Sequence, residues 1–231
     1  MRRLGKSGAL LFLTIVILLA GCSNKPYGEY KDNEMIGFVS SYNDELKSID
    51  FDISEWAKRD EIGPGIDDWG ASYKAFVLSS TIITNEAGER LSWEDLKLGQ
   101  KVQINPPQTK KVTDTPDELI ILTMTNEQLF KRMGLMASKK GSYRTTVVYD
   151  SGQESPFQIE EIEKNANSIL QGGYSAREYD PNYVLDVKTA FEIETFPVIL
   201  VFDKEKLVLK TNELEAAASF ISSQHHKTEK K

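Results

Sequence analysis

Short segments in which hydrophobic and polar residues alternate occupy residues 34–125, and turn residues separate them. Segments 36–38 and 49–53 each place an isoleucine or a phenylalanine at every second position. This period of two is typical of half-buried β-strands. Ser92 and Asp95 have the spacing of a capping box, which predicts one helical turn between the later strands. The pattern therefore predicts a small domain of about five strands and one short helix.

Strand-like and helix-like segments alternate over residues 142–223. A helix with apolar residues at helical spacing is predicted to begin at Pro156 and to end at the glycine pair 172–173. Asp180, followed by a proline, is predicted to cap a second helix. The continuous apolar run 198–202 predicts a strand buried on both faces. The predicted order is β, α, β, α, β, β, α, with strands at 145–149, 174–179, 198–202 and 207–209 and a last helix from Asn212.

Three segments lie outside these two units. Residues 22–33 are polar and are predicted to be a tether. Residues 126–141 are predicted to link the two halves through a helix that Gly134 closes. Residues 224–231 are a polar tail. The chain is therefore predicted to be a two-domain α+β protein.

The N-terminal segment has the pattern of a bacterial export signal. Three of the first six residues are basic, and residues 9–20 are apolar apart from one threonine. This run is shorter than the ~20 residues that a membrane-spanning helix needs, so residues 1–21 are predicted to be a signal peptide. Residues 19–22, Leu-Ala-Gly-Cys, resemble the lipobox of bacterial lipoproteins. The resemblance implies cleavage before Cys22, lipidation of its thiol, and anchoring to the extracytoplasmic face of the cell membrane.

The first domain resembles a known small β-fold. The strand pattern of residues 34–125 resembles a Greek-key barrel of the OB type. Residues 92–104 also resemble small β-domains found in exported lipoproteins of Gram-positive bacteria. We therefore expect an OB-like β-barrel in the first half of a Gram-positive lipoprotein.

The second domain resembles the thioredoxin fold. The order of elements in residues 142–223 matches that fold, and Phe196-Pro197 before the apolar run resembles the segment that precedes its central strand. The resemblance implies that Pro197 is a cis-proline and that the main chain at Thr195 and Phe196 faces extended peptides. The family's Cys-x-x-Cys is missing, because residues 150–155 contain no thiol and the only cysteine lies in the lipobox. Thiol–disulfide exchange is therefore excluded on chemical grounds.

Composition narrows the chemistry further. The chain has 28 basic and 35 acidic residues and a formal charge of -7, which argues against nucleic-acid binding. A single cysteine excludes an internal disulfide and a cysteine-based zinc cluster. The two histidines, His225 and His226, are adjacent in the tail, so we expect neither a catalytic triad nor a metal site. We also expect no cofactor.

These observations predict a non-catalytic binding or assembly module of the cell envelope, with a peptide or an envelope protein as its partner. Two alternatives remain open. Asp67 and Asp68 beside Trp69 could serve a carboxylate-dependent enzyme that acts on cell-wall polymers. A solute-binding lipoprotein is the other alternative, although the chain does not show two doubly wound lobes.

Overall fold

The computed structural model of the protein describes residues 25–107 and 110–228. The predicted signal peptide, Cys22 and the side chains of His225 and His226 lie outside the described residues. Within the described residues the chain is a mixed α+β protein with one sheet of seven strands and one of four. Each sheet has its own hydrophobic core.

The first sheet contains more strands than the sequence pattern predicts. They are β1 (Met35–Asn43), β2 (Ser48–Asp52), β3 (Ser72–Phe76), β4 (Ile82–Asn85), β5 (Lys101–Asn105), β6 (Thr113–Asp114) and β7 (Glu118–Ile121), in the order β4-β7-β5-β1-β2-β3-β6. Strand β1 is antiparallel to β2 and β5, whereas the pairs β3–β6 and β4–β7 are parallel. The two additional strands are β4 and β6. A turn at Thr81 separates β4 from β3.

The alternation predicted for residues 49–53 is confirmed in β2, whereas the first five residues of β1 are all buried and do not alternate. Ile49 and Phe51 are fully buried in β2, and Trp56 packs on them from the short helix α1 (Ser54–Ala57). Burying a side chain of this size contributes about 1.5–3 kcal/mol. The predicted capped turn is also present, because Asp95 Oδ2 accepts hydrogen bonds from the Ser92 N–H at 2.8 Å and from its hydroxyl at 2.9 Å.

The second sheet has four strands and is covered on both faces. Its strands are β8 (Arg144–Tyr149), β9 (Tyr174–Glu178), β10 (Val198–Phe202) and β11 (Leu207–Thr211), in the order β11-β10-β8-β9. Strand β9 is parallel to β8, and β10 is antiparallel to β8 and β11. All five residues of β10 are buried, as the apolar run predicts. The helices are α2 (Asn126–Arg132), α3 (Ile159–Asn165), α4 (Asn167–Gln171), α5 (Val187–Ala190) and α6 (Leu214–Thr228).

Two helix predictions in the second half are wrong. The helix predicted from Pro156 is two short helices, α3 and α4, because Ala166 leaves the helical conformation with φ -146° and ψ 40°. The helix predicted at Asp180 is absent, because the Asp180 carboxylate accepts from the Asn182 N–H and forms a turn instead. Helix α5 begins later, where Asp186 caps the N–H groups of Lys188 and Thr189.

The linking helix is part of the second hydrophobic core. Helix α2 begins after Thr125, as predicted, and Gly134 follows it with φ +67°. Its Phe130 packs against Phe202 of β10 with ring centroids 5.3 Å apart. The first half contacts this unit at Leu98, whose N–H donates to the Asn182 carbonyl at 3.1 Å.

Candidate functional site

The segment before β10 is held by the side chains of Tyr179 and Asn212. The Phe196–Pro197 peptide bond is cis. The ring of Phe196 lies 5.2 Å from that of Tyr179, and the Asn212 amide donates to the Pro197 carbonyl oxygen at 2.5 Å. Thr195 is exposed, whereas Phe196 and Pro197 are half-buried. The packing therefore fixes the segment and leaves Thr195 at the surface.

The main chain of this segment has free hydrogen-bond donors. The N–H groups of Thr195 and Phe196 donate to no acceptor within the described chain. A cavity of about 190 Å³ adjoins Thr195, and Glu192, Glu194, Lys210 and Asn212 contribute to its lining. The Lys210 ammonium donates to the carbonyl oxygens of residues 191 and 192, at 2.9 Å each. The lining therefore carries two glutamates against one lysine, which leaves a net charge of -1 around Thr195.

The loop that follows β8, residues 150–155, is held by a carboxylate. Glu178 Oε2 accepts from the Ser151 hydroxyl at 3.2 Å and from the Gly152 N–H at 3.3 Å. Residues 150–154 are exposed and contain serine, glycine, glutamine and acidic residues only. The loop therefore offers polar contacts at the end of β8.

The loop at residues 67–69 uses one of its two carboxylates to hold the N-terminal segment. Asp67 accepts from the Tyr27 hydroxyl at 2.8 Å and lies 4.0 Å from the Lys58 ammonium. The hydrogen bond to Asp67 raises the pKa of Tyr27 to about 12. Trp69 is 41% exposed and donates to Glu61 at 3.2 Å. The structure therefore gives Asp67 a structural contact with the N-terminal segment.

A second recess lies on the first half, next to Asn182 of the second half, and the sequence did not predict it. It has a volume of about 290 Å³ and an apolar floor that includes Ile49, with Tyr42 and Trp93 among its other lining residues. Trp93 Nε1 donates to Asp44 at 2.7 Å. Asn182 of the second half also lines the recess. The capped turn at Trp93 was the one sequence signal for this recess, since the contribution of Asn182 depends on tertiary packing.

A charged pair joins the two halves. Arg132, at the end of α2, donates to Asp52 Oδ2 at 2.9 Å, and its guanidinium lies 4.5 Å from the ring centre of Phe38. Ser54 donates to Asp52 Oδ1 through its hydroxyl and its N–H, at 2.6 and 3.1 Å. Burial opposes the ionisation of Asp52, but the hydrogen bonds from Ser54 and Arg132 outweigh it and lower its pKa.

We expect Asp52→Asn to lower the free energy of unfolding by about 1 kcal/mol at pH 7, because a charge-assisted hydrogen bond is lost from a partly exposed site. A lowered pKa stabilises the folded state above the unfolded-state value of about 3.9, and this contribution is lost as the pH falls through the folded-state pKa. The difference between the wild type and Asp52→Asn should therefore shrink below about pH 4. Urea denaturation at several pH values measures it.

Asp60→Asn is the control for this experiment, because Asp60 forms an exposed ion pair with Lys25 at 2.6 Å. Exposed pairs contribute little to stability, so this variant should unfold like the wild type. A difference for Asp52→Asn that stays constant from pH 7 to pH 3 would contradict the assignment.

The described residues contain no cluster of three or more His, Cys, Asp or Glu side chains placed to hold a metal ion. Among their helices, none combines the length and apolar character needed to cross a membrane. A comparison with known protein families and a search of curated proteins each found no match to this chain.

Proposed function

We propose that this protein is a lipid-anchored, extracytoplasmic protein of a Gram-positive envelope that binds extended peptide segments without catalysing a reaction. Its second half would have a thioredoxin-like fold. The strand order β11-β10-β8-β9 supports this, because β8 and β9 are parallel neighbours and β10 is antiparallel between β8 and β11. The first half would be OB-like. The meander β1-β2-β3, with β6 and β7 as one interrupted closing strand, supports that assignment.

The observation that carries the proposed activity is the exposed main chain at Thr195. Two consecutive N–H groups, of Thr195 and Phe196, donate to no acceptor in the described chain. Extended peptides bind to such edges through main-chain hydrogen bonds, and adjacent pockets give side-chain selectivity. The cavity lined by Glu192 and Glu194 is such a pocket.

Charge defines the peptide class. Residues 142–224 contain 7 basic and 14 acidic residues, and both glutamates beside Thr195 are exposed. Opposite charge at a binding surface favours encounter and disfavours like-charged partners. The preferred ligand is therefore an extended peptide with neutral or basic side chains.

The test is binding of the full chain, in micelles of an uncharged detergent, to an immobilised array of ten-residue peptides of varied charge. Thr195→Pro removes one of the two N–H donors, so we expect binding to weaken by about threefold to tenfold. Glu194→Lys should shift the preference from basic to acidic peptides.

Lys204→Pro, which places a proline in the exposed turn before β11, is the matched control and should bind like the wild type. Circular dichroism confirms that each variant is folded. The proposal is wrong if peptides of no charge class bind the wild type, or if folded Thr195→Pro binds them equally well.

A further inference from the structure

The described part of the predicted tether is packed against the first half. Tyr30 packs against the hydrophobic core of that half, and Trp56 Nε1 donates to the Lys31 carbonyl oxygen at 2.9 Å. The Arg59 side chain lies 2.5 Å from the Asp32 carboxylate. Because Trp56 belongs to α1 and Arg59 follows it closely, these contacts fix the segment beside α1 and the loop after it.

The loop that follows α1, residues 58–70, also contacts this segment nearer to the predicted anchor; we call it the anchor-side loop. The Lys25 ammonium lies 2.6 Å from one of its carboxylates, and the Tyr27 hydroxyl donates to a second at 2.8 Å. Cys22 precedes Lys25 by three residues, so covalent geometry limits the distance between their Cα atoms to about 11 Å. A bilayer that holds Cys22 therefore lies within reach of the anchor-side loop.

Two large apolar side chains of the anchor-side loop are exposed. Ile62 is 57% exposed and Trp69 is 41% exposed. Trp69 Nε1 donates to Glu61 at 3.2 Å, so the tryptophan lies beside residues 61–62. Tryptophan is enriched at membrane–water interfaces, because its ring is apolar and its N–H keeps a polar partner. The exposed isoleucine and tryptophan therefore suit a lipid interface.

Apolar contact, not charge, is the attraction that this loop offers to lipid. It carries two basic and four acidic residues. Three of the carboxylates, those of Asp60, Glu61 and Asp67, have partners in the described chain. Two apolar side chains insert weakly on their own, but an anchor close by makes the insertion intramolecular and raises the effective concentration of lipid.

We propose that the anchor-side loop inserts Ile62 and Trp69 into the lipid bilayer beside the anchor and so docks the first half on the membrane surface. This inference rests on the proposed membrane anchor. The partner is lipid because the short connection to Cys22 brings the bilayer to the loop in every anchored molecule.

The test is quenching of tryptophan by brominated lipid. The full chain, produced in growing cells and purified in an uncharged detergent, is reconstituted into vesicles of phosphatidylcholine with or without bromine on the acyl chains. Bromine quenches a tryptophan that reaches the acyl region, so brominated lipid should lower the emission of the wild type. Trp69→Phe should lose this difference. Trp93→Phe should keep it, because Trp93 contacts Asp44 in the β1–β2 turn, at the end of β2 away from the anchor-side loop.

A second pair of variants tests the apolar contact itself. Ile62→Ser should lower the ratio of docked to undocked molecules, measured by the quenching, about tenfold, because an apolar side chain is lost from the contact. Leu46→Ser is the matched control, since Leu46 is 63% exposed but lies in the β1–β2 turn. It should be quenched like the wild type. Circular dichroism confirms that each variant is folded.

Mass determination of the same sample separates the docking from the anchor. It shows whether Cys22 carries lipid, and a leader left uncleaved would still hold residue 22 at the bilayer, so the quenching decides the docking in either case. Absence of lipid on Cys22 would contradict the proposed anchor alone. The docking proposal is overturned if brominated lipid lowers the emission of the wild type no more than that of folded Trp69→Phe, or if folded Ile62→Ser is quenched like the wild type.

Discussion

Replacing Cys22 by serine is expected to abolish the incorporation of radioactive palmitate into this protein. A lipobox cysteine receives its lipid through the sulfur atom, and serine offers only a far less nucleophilic hydroxyl. The chain contains no other cysteine, so no second thiol could be labelled in its place. Labelling of growing cells, followed by immunoprecipitation and mass determination, gives both the label and the cleavage state. We expect the wild type to be labelled and to lose residues 1–21.

Ser23→Ala is the matched control, because it changes a hydroxyl at the adjacent position and leaves the thiol in place. It should be labelled and cleaved like the wild type. A wild-type protein without label, or label that persists in Cys22→Ser, would contradict the assignment of Cys22 as the anchor.

The proposed lipid anchor would supply a membrane attachment that the charge of the chain without residues 1–21 does not favour. Loss of residues 1–21 removes three basic residues from 28, which leaves 25 against 35 acidic residues and a net charge of -10. Anionic lipid surfaces attract clusters of basic residues, so this chain has no general electrostatic attraction to them. Each buried methylene contributes about 0.8 kcal/mol, and two acyl chains hold a protein that one chain would release.

Local pattern was enough to predict the elements whose packing follows directly from hydrophobicity. The run 198–202 predicted the buried strand β10, because a short strand covered on both faces needs no polar alternation. The linking helix was predicted from its start after Thr125 and from Gly134. The helix expected at Asp180 was wrong because two conformations compete for the same capping residue, and contacts of residues 182–184 with Leu98 favour the turn.

The candidate sites also divide into those that a local sequence pattern predicts and those that depend on tertiary packing. Thr195 and Pro197 could be singled out from sequence, because their resemblance to a known segment is local and contiguous. The recess at Trp93 could not, because its lining residues come from elements far apart in the chain. Tertiary packing brings these residues together.

Gly172→Ala is expected to destabilise the second half by about 3 kcal/mol or more, at the upper end of the range for overpacking. A Cβ atom at this position would overlap the backbone carbonyl oxygen of Tyr143. The φ of -99° suits alanine, so the whole effect is steric. Because a backbone carbonyl cannot rotate away as a side chain can, the chain before β8 must shift. From the sequence alone, Gly172 was predicted only to end a helix.

The comparison variant is Gly152→Ala in the same half. Gly152 has φ +77°, and nothing lies within 4 Å of an added Cβ. Gly152→Ala should destabilise the protein by about 1–2 kcal/mol, which is the conformational cost of a non-glycine residue in the left-handed region. Chemical denaturation should therefore place the midpoint of Gly172→Ala below that of Gly152→Ala. Equal midpoints would show that the contact with Tyr143 relaxes without cost.

The positions of the tryptophans allow unfolding of the second half in Gly172→Ala to be measured separately from unfolding of the first half. All three, Trp56, Trp69 and Trp93, belong to the first half, so tryptophan fluorescence reports that half, whereas far-ultraviolet circular dichroism reports both. The Gly173 carbonyl accepts from the Thr145 N–H at 2.9 Å, where β9 joins β8. Displacing it should unfold the second sheet first, and circular dichroism should then change at a lower denaturant concentration than fluorescence. A single coincident transition at the wild-type midpoint would contradict this account of Gly172.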